Sequence, residues 1–265
     1  MAQSAYAHYG TSIRLVCSVF GISESGYHYQ APLATENAEI ADWLLRLTTA
    51  NTRWGVGLCC LYLRHVKGFF WNHKRVYRIY RELKLNLRIK PERRIKRGKP
   101  EALSVPTAIN QVWSMDFMSD SLTDGRLLRT FNVLDNYNRE GLCIEVDLSL
   151  PGARVIRSLE QIIEWRGKPD AIRLDNRLEY IAKSLIDRAN GQQITLFYIQ
   201  PGKPTQNTYI ERFNRTVRHE WLDPNLFESV EQAQGLATKC LWTYNNQRPH
   251  TAIGGVPPRQ LLKAA

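Results

Sequence analysis

The chain has 265 residues, with 36 Lys+Arg against 25 Asp+Glu and a formal net charge of +11. That length accommodates two domains with cores of their own, and 43% hydrophobic with 23% charged residues excludes a wholly disordered protein. No apolar run approaches the roughly 18 residues of a membrane span, and the opening MAQSAYAHYG lacks the basic-then-apolar layout of a signal peptide, so a cytoplasmic protein without a membrane partner is expected.

The first hundred residues hold the whole charge excess, 17 Lys+Arg against 6 Asp+Glu, whereas residues 101–265 hold 19 of each. A neutral region joined to a strongly basic one fits a protein that grips a polyanion. Within the basic part, Ser12–Phe20 reads as a short helix with Ile13, Val16 and Phe20 on one face. Gly21 is placed to stop it, and Ser23 to cap a second helix with Tyr27 inward, the layout of a helix-turn-helix unit. Glu36–Thr49 repeats Ile40, Trp43, Leu44 and Leu47 at helical spacing. A Gly-containing turn at 54–57 precedes a helix around Leu58–His65, and His73–Leu83 sets Val76, Ile79, Tyr80 and Leu83 opposite Lys74, Arg75, Arg78 and Arg81. The Pro-bounded run KPERRIKRGKP then carries Arg93, Arg94, Lys96 and Arg97 and reads as an extended linker able to track a phosphate backbone. The division expected is a helical DNA-binding region over 1–89, a basic linker over 90–107 and an α/β domain over 108–265. The five cysteines are odd in number and scattered, which argues against a disulfide framework, and Cys59, Cys60, His65 and His73 match no standard zinc spacing.

From Asn110 onward the pattern turns to strands. Gln111–Met118, Arg129–Asp135 and Glu140–Leu148 are three, with Asp124-Gly125 as a hairpin turn between the first two. A helix over Gly152–Arg166, a strand over Ala171–Asp175, a helix over Ser184–Gln192, a strand over Ile194–Ile199 and a long helix from about Gln206 follow. Three strands by hairpins, then helix, strand, helix, strand, helix, is the order of a ribonuclease-H-like fold, a mixed five-stranded sheet with flanking helices.

This topology would bring three acids together: Asp116 in the first strand, Asp175 at the end of the fourth, and Glu211 on the last long helix, with 35 residues between it and Asp175. Drawn on a helix, Tyr209, Ile210, Phe213, Val217 and Trp221 make one side, and Asn207, Glu211, Asn214, Arg215 and Arg218 the other. Amides and guanidiniums around one acid are groups that contact phosphate oxygens, and Lys203 lies just upstream. Three carboxylates suit phosphodiester chemistry, because two Mg²⁺ ions about 3.5–4 Å apart can activate the nucleophile and stabilise the leaving oxygen. Asp116 is the natural bridging ligand, with Asp175 and Glu211 each completing one metal.

The segments VWSMDF, LDN…EY and PGKPTQNTYIERFNRTVRHEWL resemble the Asp-Asp-Glu core of bacterial insertion-sequence transposases. The second-frame protein OrfB of the IS-three family, related to retroviral integrases, resembles them most. The ending YNNQRPHTAIGGVPP and the N-terminal RLVCSVFGISESGYHYQ and WNHKRVYRIYRELKLNLR resemble the same family. The resemblance implies a nucleoid-associated enzyme that cuts and joins DNA at terminal inverted repeats with Mg²⁺ or Mn²⁺. Its implied partners are terminal-repeat and target DNA, further copies of itself, and an upstream OrfA product or fusion. One departure stands out: where the family has Asp-Asn-Gly-Pro-Glu-Tyr, this chain has Asp175-Asn176-Arg177-Leu178-Glu179-Tyr180. The competing readings are a catalytically impaired copy that only binds DNA, and a nuclease that cuts without joining.

Overall fold

The computed structural model describes residues 2–29, 34–87, 106–175, 182–199 and 207–263, and the chain falls into two compact units, Met1–Trp43 and Leu44–Ala265. In the first, α1 (Ala2–Tyr9), α2 (Ile13–Phe20) and α3 (Glu24–His28) follow one another. The Ser12 hydroxyl accepts from the Leu15 amide at 3.3 Å to cap α2, and that of Ser23 accepts from Gly26 at 3.0 Å to cap α3. Gly21 ends α2 at φ 62°, a left-handed conformation that glycine adopts without a Cβ penalty. Val16, Cys17 and Tyr27 form the small core. Phe20, expected inward, is exposed: it is the last residue before the Gly21 reversal, and Cys17, one turn earlier, takes the inner position.

Helix α4 (Ala34–Ala50) buries Ile40, Leu44 and Leu47. In the second unit, α5 (Val56–His65) packs with α6 (His73–Glu82), whose Val76, Ile79 and Tyr80 are buried while Lys74 and Arg78 are exposed. Arg75 is half-buried. Trp54 is buried at the foot of α5, its ring edge-on to Tyr62, and its Nε1 donates to Glu220 at 3.4 Å. The expected linker, with Arg93, Arg94, Lys96 and Arg97, lies almost wholly outside the described residues.

Five strands, β1 (Val112–Ser121), β2 (Leu127–Asp135), β3 (Gly141–Asp147), β4 (Ala171–Leu174) and β5 (Thr195–Tyr198), form one sheet in the order β3-β2-β1-β4-β5. The first three pair antiparallel, and β4 and β5 run parallel to β1. Gly125, at φ 85°, turns β1 into β2. Successive side chains on a strand point to opposite faces, and here that alternation divides two cores. Trp113, Met115, Phe131, Val133, Ile172 and Leu174 point toward α7 (Gly152–Arg166) and α8 (Ala182–Gly191). Met118, Leu128, Leu134, Ile144 and Val146 point toward α9 (Thr208–Val217) and α10 (Val230–Asn246).

The sequence predicts one regular α-helix running on to Trp221, and the structure departs from it. Residues Arg218–Leu222 form a π turn, whose wider repeat brings both Trp221 and Leu222 inward. Helices α10 and α11 (Pro258–Lys263) complete the fold. Among the described residues no helix is long and apolar enough to cross a membrane, and the five cysteines are free.

Candidate active site

Asp116 shares a face with Ser114 and Met118, the face on which α9 packs. Ser114 pairs with Arg173 in the parallel β1·β4 register, so two residues further Asp116 and Asp175 come side by side at the carboxyl end of β4. Ile172 and Leu174 belong to the opposite core, which leaves Arg173 and Asp175 on the α9 side. The ends of parallel strands are where α/β sheets place their sites. Glu211 reaches the same region from the exposed side of α9, whose Ile210, Phe213 and Val217 are buried against the sheet.

The charges of Asp175 and Glu211 act on Asp116. The Asp116 carboxyl is pushed up to about 6, first by burial and further by Asp175 and Glu211, although the Phe117 amide and Asn214 favour its ionised form. Glu211 is also raised, by burial and Asp175, against the opposing pull of Arg215. Among the described residues, however, no group of three or more His, Cys, Asp or Glu stands close enough to hold a metal ion. The acids gather without closing on a common centre. Their donors are hard carboxylate oxygens of the kind that bind Mg²⁺ or Mn²⁺, and a divalent cation would relieve the like-charge repulsion at Asp116, so residue types and electrostatics fit such an ion.

The helical wheel sets Asn214 with the outward amides and guanidiniums, and the structure corrects this. Asn214 is buried, its Nδ2 donates to Asp116 Oδ2 at 2.9 Å, and its Oδ1 accepts from Asn132 Nδ2 at 2.8 Å. Asn132 stands directly across the β1·β2 pair from Asp116. Asn214 therefore orients the aspartate instead of facing solvent: it lies three residues after Glu211, on the edge of α9 that meets the sheet. Asn207 is buried as well. The signal for this pairing in the sequence is Asn132, a polar residue between the apolar Phe131 and Val133 of β2.

Arg215 is exposed near Glu211. Arg218 donates to the Ser119 carbonyl of β1 at 2.8 Å and to Asp120 at 3.4 Å. Lys203, Arg177 and Leu178 lie outside the described residues.

The strand order, the two layers of helices and the acids at the sheet's carboxyl edge define a ribonuclease-H-like domain of the integrase kind. Residues 106–204 and 192–258 match the family described as Integrase core domain. The chain is 36% identical over 249 residues to a 31.7 kDa protein of insertion element IS407 of Burkholderia multivorans, covering 94% of this chain and 90% of that protein. It is 34% identical over 254 residues to a 39.2 kDa protein of insertion element IS476 of Xanthomonas euvesicatoria, covering 96% and 73%. In fold it is similar to a chain of the simian T-cell lymphotropic virus intasome, with a TM-score of 0.51, 18% identity, and 82% and 73% coverage. The chain belongs to the insertion-element transposases of the Asp-Asp-Glu integrase superfamily.

Proposed function

We propose that this chain is the catalytic subunit of its insertion element, cutting DNA at the element's ends and joining it to target DNA, with Asp116, Asp175 and Glu211 as its catalytic carboxylates. The observation that carries this reading is that Asp175, at the end of β4, and Glu211, on α9, lie close enough to Asp116 on β1 for their charges to raise its carboxyl. Asp116, Asp175 and Glu211 would together hold Mg²⁺ or Mn²⁺. Such ions, when bound, supply the activation of the attacking oxygen and the stabilisation of the leaving one. Asn214 holds the Asp116 carboxylate in one orientation, and Arg215 offers a cation beside Glu211 for a DNA phosphate.

Three groups of cations complete the proposed DNA contacts: Lys74, Arg75 and Arg78 on α6; Arg93, Arg94, Lys96 and Arg97 of the linker; and Lys203, Arg215 and Arg218 around the last helix. The organisation proposed is a helical DNA-binding region over 1–89, a linker over 90–107 and a catalytic domain over 108–265. Copies of the chain assemble on DNA together with an upstream OrfA product or fusion. A second reading, a copy that binds DNA without cutting it, is favoured by Arg177 and Leu178 in place of Gly-Pro beside Asp175. Incubating the protein with labelled terminal-repeat DNA and Mg²⁺ separates the readings: joined products support transposition, cut but unjoined products a nuclease, and unaltered DNA the binding-only copy.

A further inference from the structure

On the side of α9 that turns away from Glu211 lies a pocket of about 310 Å³, between that helix and the segment Arg248–Ala252 of the YNNQRPH motif. Arg139, Arg212 and Arg248 line it, and no acid does. Two of these guanidiniums are held in place. Arg139 lies over the Tyr209 ring at 3.6 Å from its centroid and donates to the Asn136 carbonyl, while Arg248 pairs with Glu220 at 2.8 Å. The Arg212 side chain is exposed and makes no hydrogen bond or ion pair among the described residues. All three act on His250, whose pKa is pushed down to about 3 by burial first and then by Arg248, Arg212 and Arg139. The imidazole is thus neutral and adds no charge to the pocket. Its buried Nε2 has no protein partner among the described residues. The rest of the lining combines an apolar wall, with Leu58, Phe213 and Ala252, and the polar Thr208, Thr216 and Thr251.

We propose that this pocket seats one nucleotide of a single DNA strand, its phosphate on Arg212 and Arg139 and its base against the apolar wall. The proposal rests on the reading of the chain as a DNA-acting protein. Guanidiniums beside an aromatic and apolar surface are the combination that single-stranded nucleic-acid sites use. The volume falls at the lower end of the ~300–1,000 Å³ of small-ligand sites, more than a bare phosphate fills. A concave seat of this kind admits a base only after it has left the helical stack, so the ligand is an unpaired strand and not a duplex.

The test uses the full chain in EDTA, so that metal-bridged contacts at the carboxylates do not contribute. Affinity is read by fluorescence anisotropy for a labelled single strand of about eight thymidylates, within the ~4–16 nucleotides typical of such sites, and for a duplex of equal length. Two variants are compared: Arg212→Gln, which removes the exposed cation, and Ala252→Trp, which fills the pocket while keeping its cations. Thermal unfolding by circular dichroism confirms that both are folded. Each should weaken single-strand binding roughly tenfold while leaving duplex binding within about twofold, and Arg212→Gln should lower the single-strand salt slope by about 0.7. Thymidine monophosphate should compete better than inorganic phosphate. Unchanged single-strand binding in both variants, or equal loss for single strand and duplex, overturns the pocket while leaving the DNA-acting reading intact. A wild-type chain that binds neither DNA overturns that reading, and the pocket with it.

Discussion

Replacing Asp116 by asparagine is expected to stabilise the metal-free protein while abolishing strand cleavage. The carboxyl titrates near 6 in the folded chain instead of at its ordinary 3.8. At ~1.4 kcal/mol per pKa unit, keeping it ionised costs the folded state roughly 3 kcal/mol. The folded chain binds this proton more tightly than the unfolded chain does. Stability therefore falls as pH rises from about 4 to about 6, and the full cost is present above that window. Asparagine removes the cost but loses a hydrogen bond. Its amide nitrogen would meet the Asn214 Nδ2 that now donates to Asp116, and turning Asn214 over would set its nitrogen against Asn132 Nδ2. One such loss is worth about 1 kcal/mol, which leaves a net gain of ~1–2 kcal/mol at about pH 7.5 that shrinks toward pH 4. Urea unfolding followed by tryptophan fluorescence in EDTA, at several pH values, measures it. An Asp116→Asn protein less stable than wild type at neutral pH, or one whose advantage does not shrink on acidification, would refute the electrostatic account of this site.

Asn214→Ala leaves the Asn132 amide buried without its acceptor and frees the Asp116 side chain. It should cost ~1–3 kcal/mol in urea unfolding and slow cleavage at saturating metal. Lys74→Gln with Arg78→Gln, on the exposed side of α6, should reduce the slope of log K against log salt for duplex DNA by about 0.9 for each phosphate that the wild type neutralises there; an unchanged slope makes that face merely solvated. Arg177→Gly with Leu178→Pro, restoring the family pattern after Asp175, should raise Mg²⁺ affinity and cleavage rate in parallel titrations, because glycine tolerates backbone conformations that arginine does not. A rate unchanged or lowered by the pair would mean that Arg177 serves this copy as it stands.

Much of the architecture is visible in residue patterning. Gly21, Ser23 and Gly125 are local signals, a stop, a cap or a turn fixed by neighbours within a few residues, and each acts as its chemistry dictates. The alternation in VWSMDF likewise sets Asp116 on the face opposite Trp113 and Met115, the face that α9 covers in the structure. What is hidden depends on distant partners. Helix α10 buries Ala233, Ala237, Tyr244 and Asn245, a stripe too small and polar to read as an amphipathic pattern, and Asn245 is inward because its side-chain amide bonds both the amide and the carbonyl of Gly141. Asn214 looks solvent-facing on a helical wheel, since nothing local reveals the aspartate and asparagine waiting on β1 and β2. The π turn at Arg218–Leu222 also escapes a constant angular repeat. The basic pocket escapes because Arg139, Arg212 and Arg248 are far apart in sequence and meet only in the folded chain.

Single-turnover cleavage and joining of labelled terminal-repeat DNA decides whether Asp116, Asp175 and Glu211 act together as metal-binding catalytic carboxylates. Wild type is compared with Asp116→Asn, Asp175→Asn and Glu211→Gln in Mg²⁺ and in EDTA, with DNA affinity measured in parallel. Wild type should give cut and joined product in Mg²⁺ alone. None of the three variants should give product, and all should keep DNA affinity within a few-fold of wild type, since each change removes a ligand charge without altering shape. Substantial cleavage by any variant, or by wild type in EDTA, would show that these three acids are not the metal-binding catalytic set.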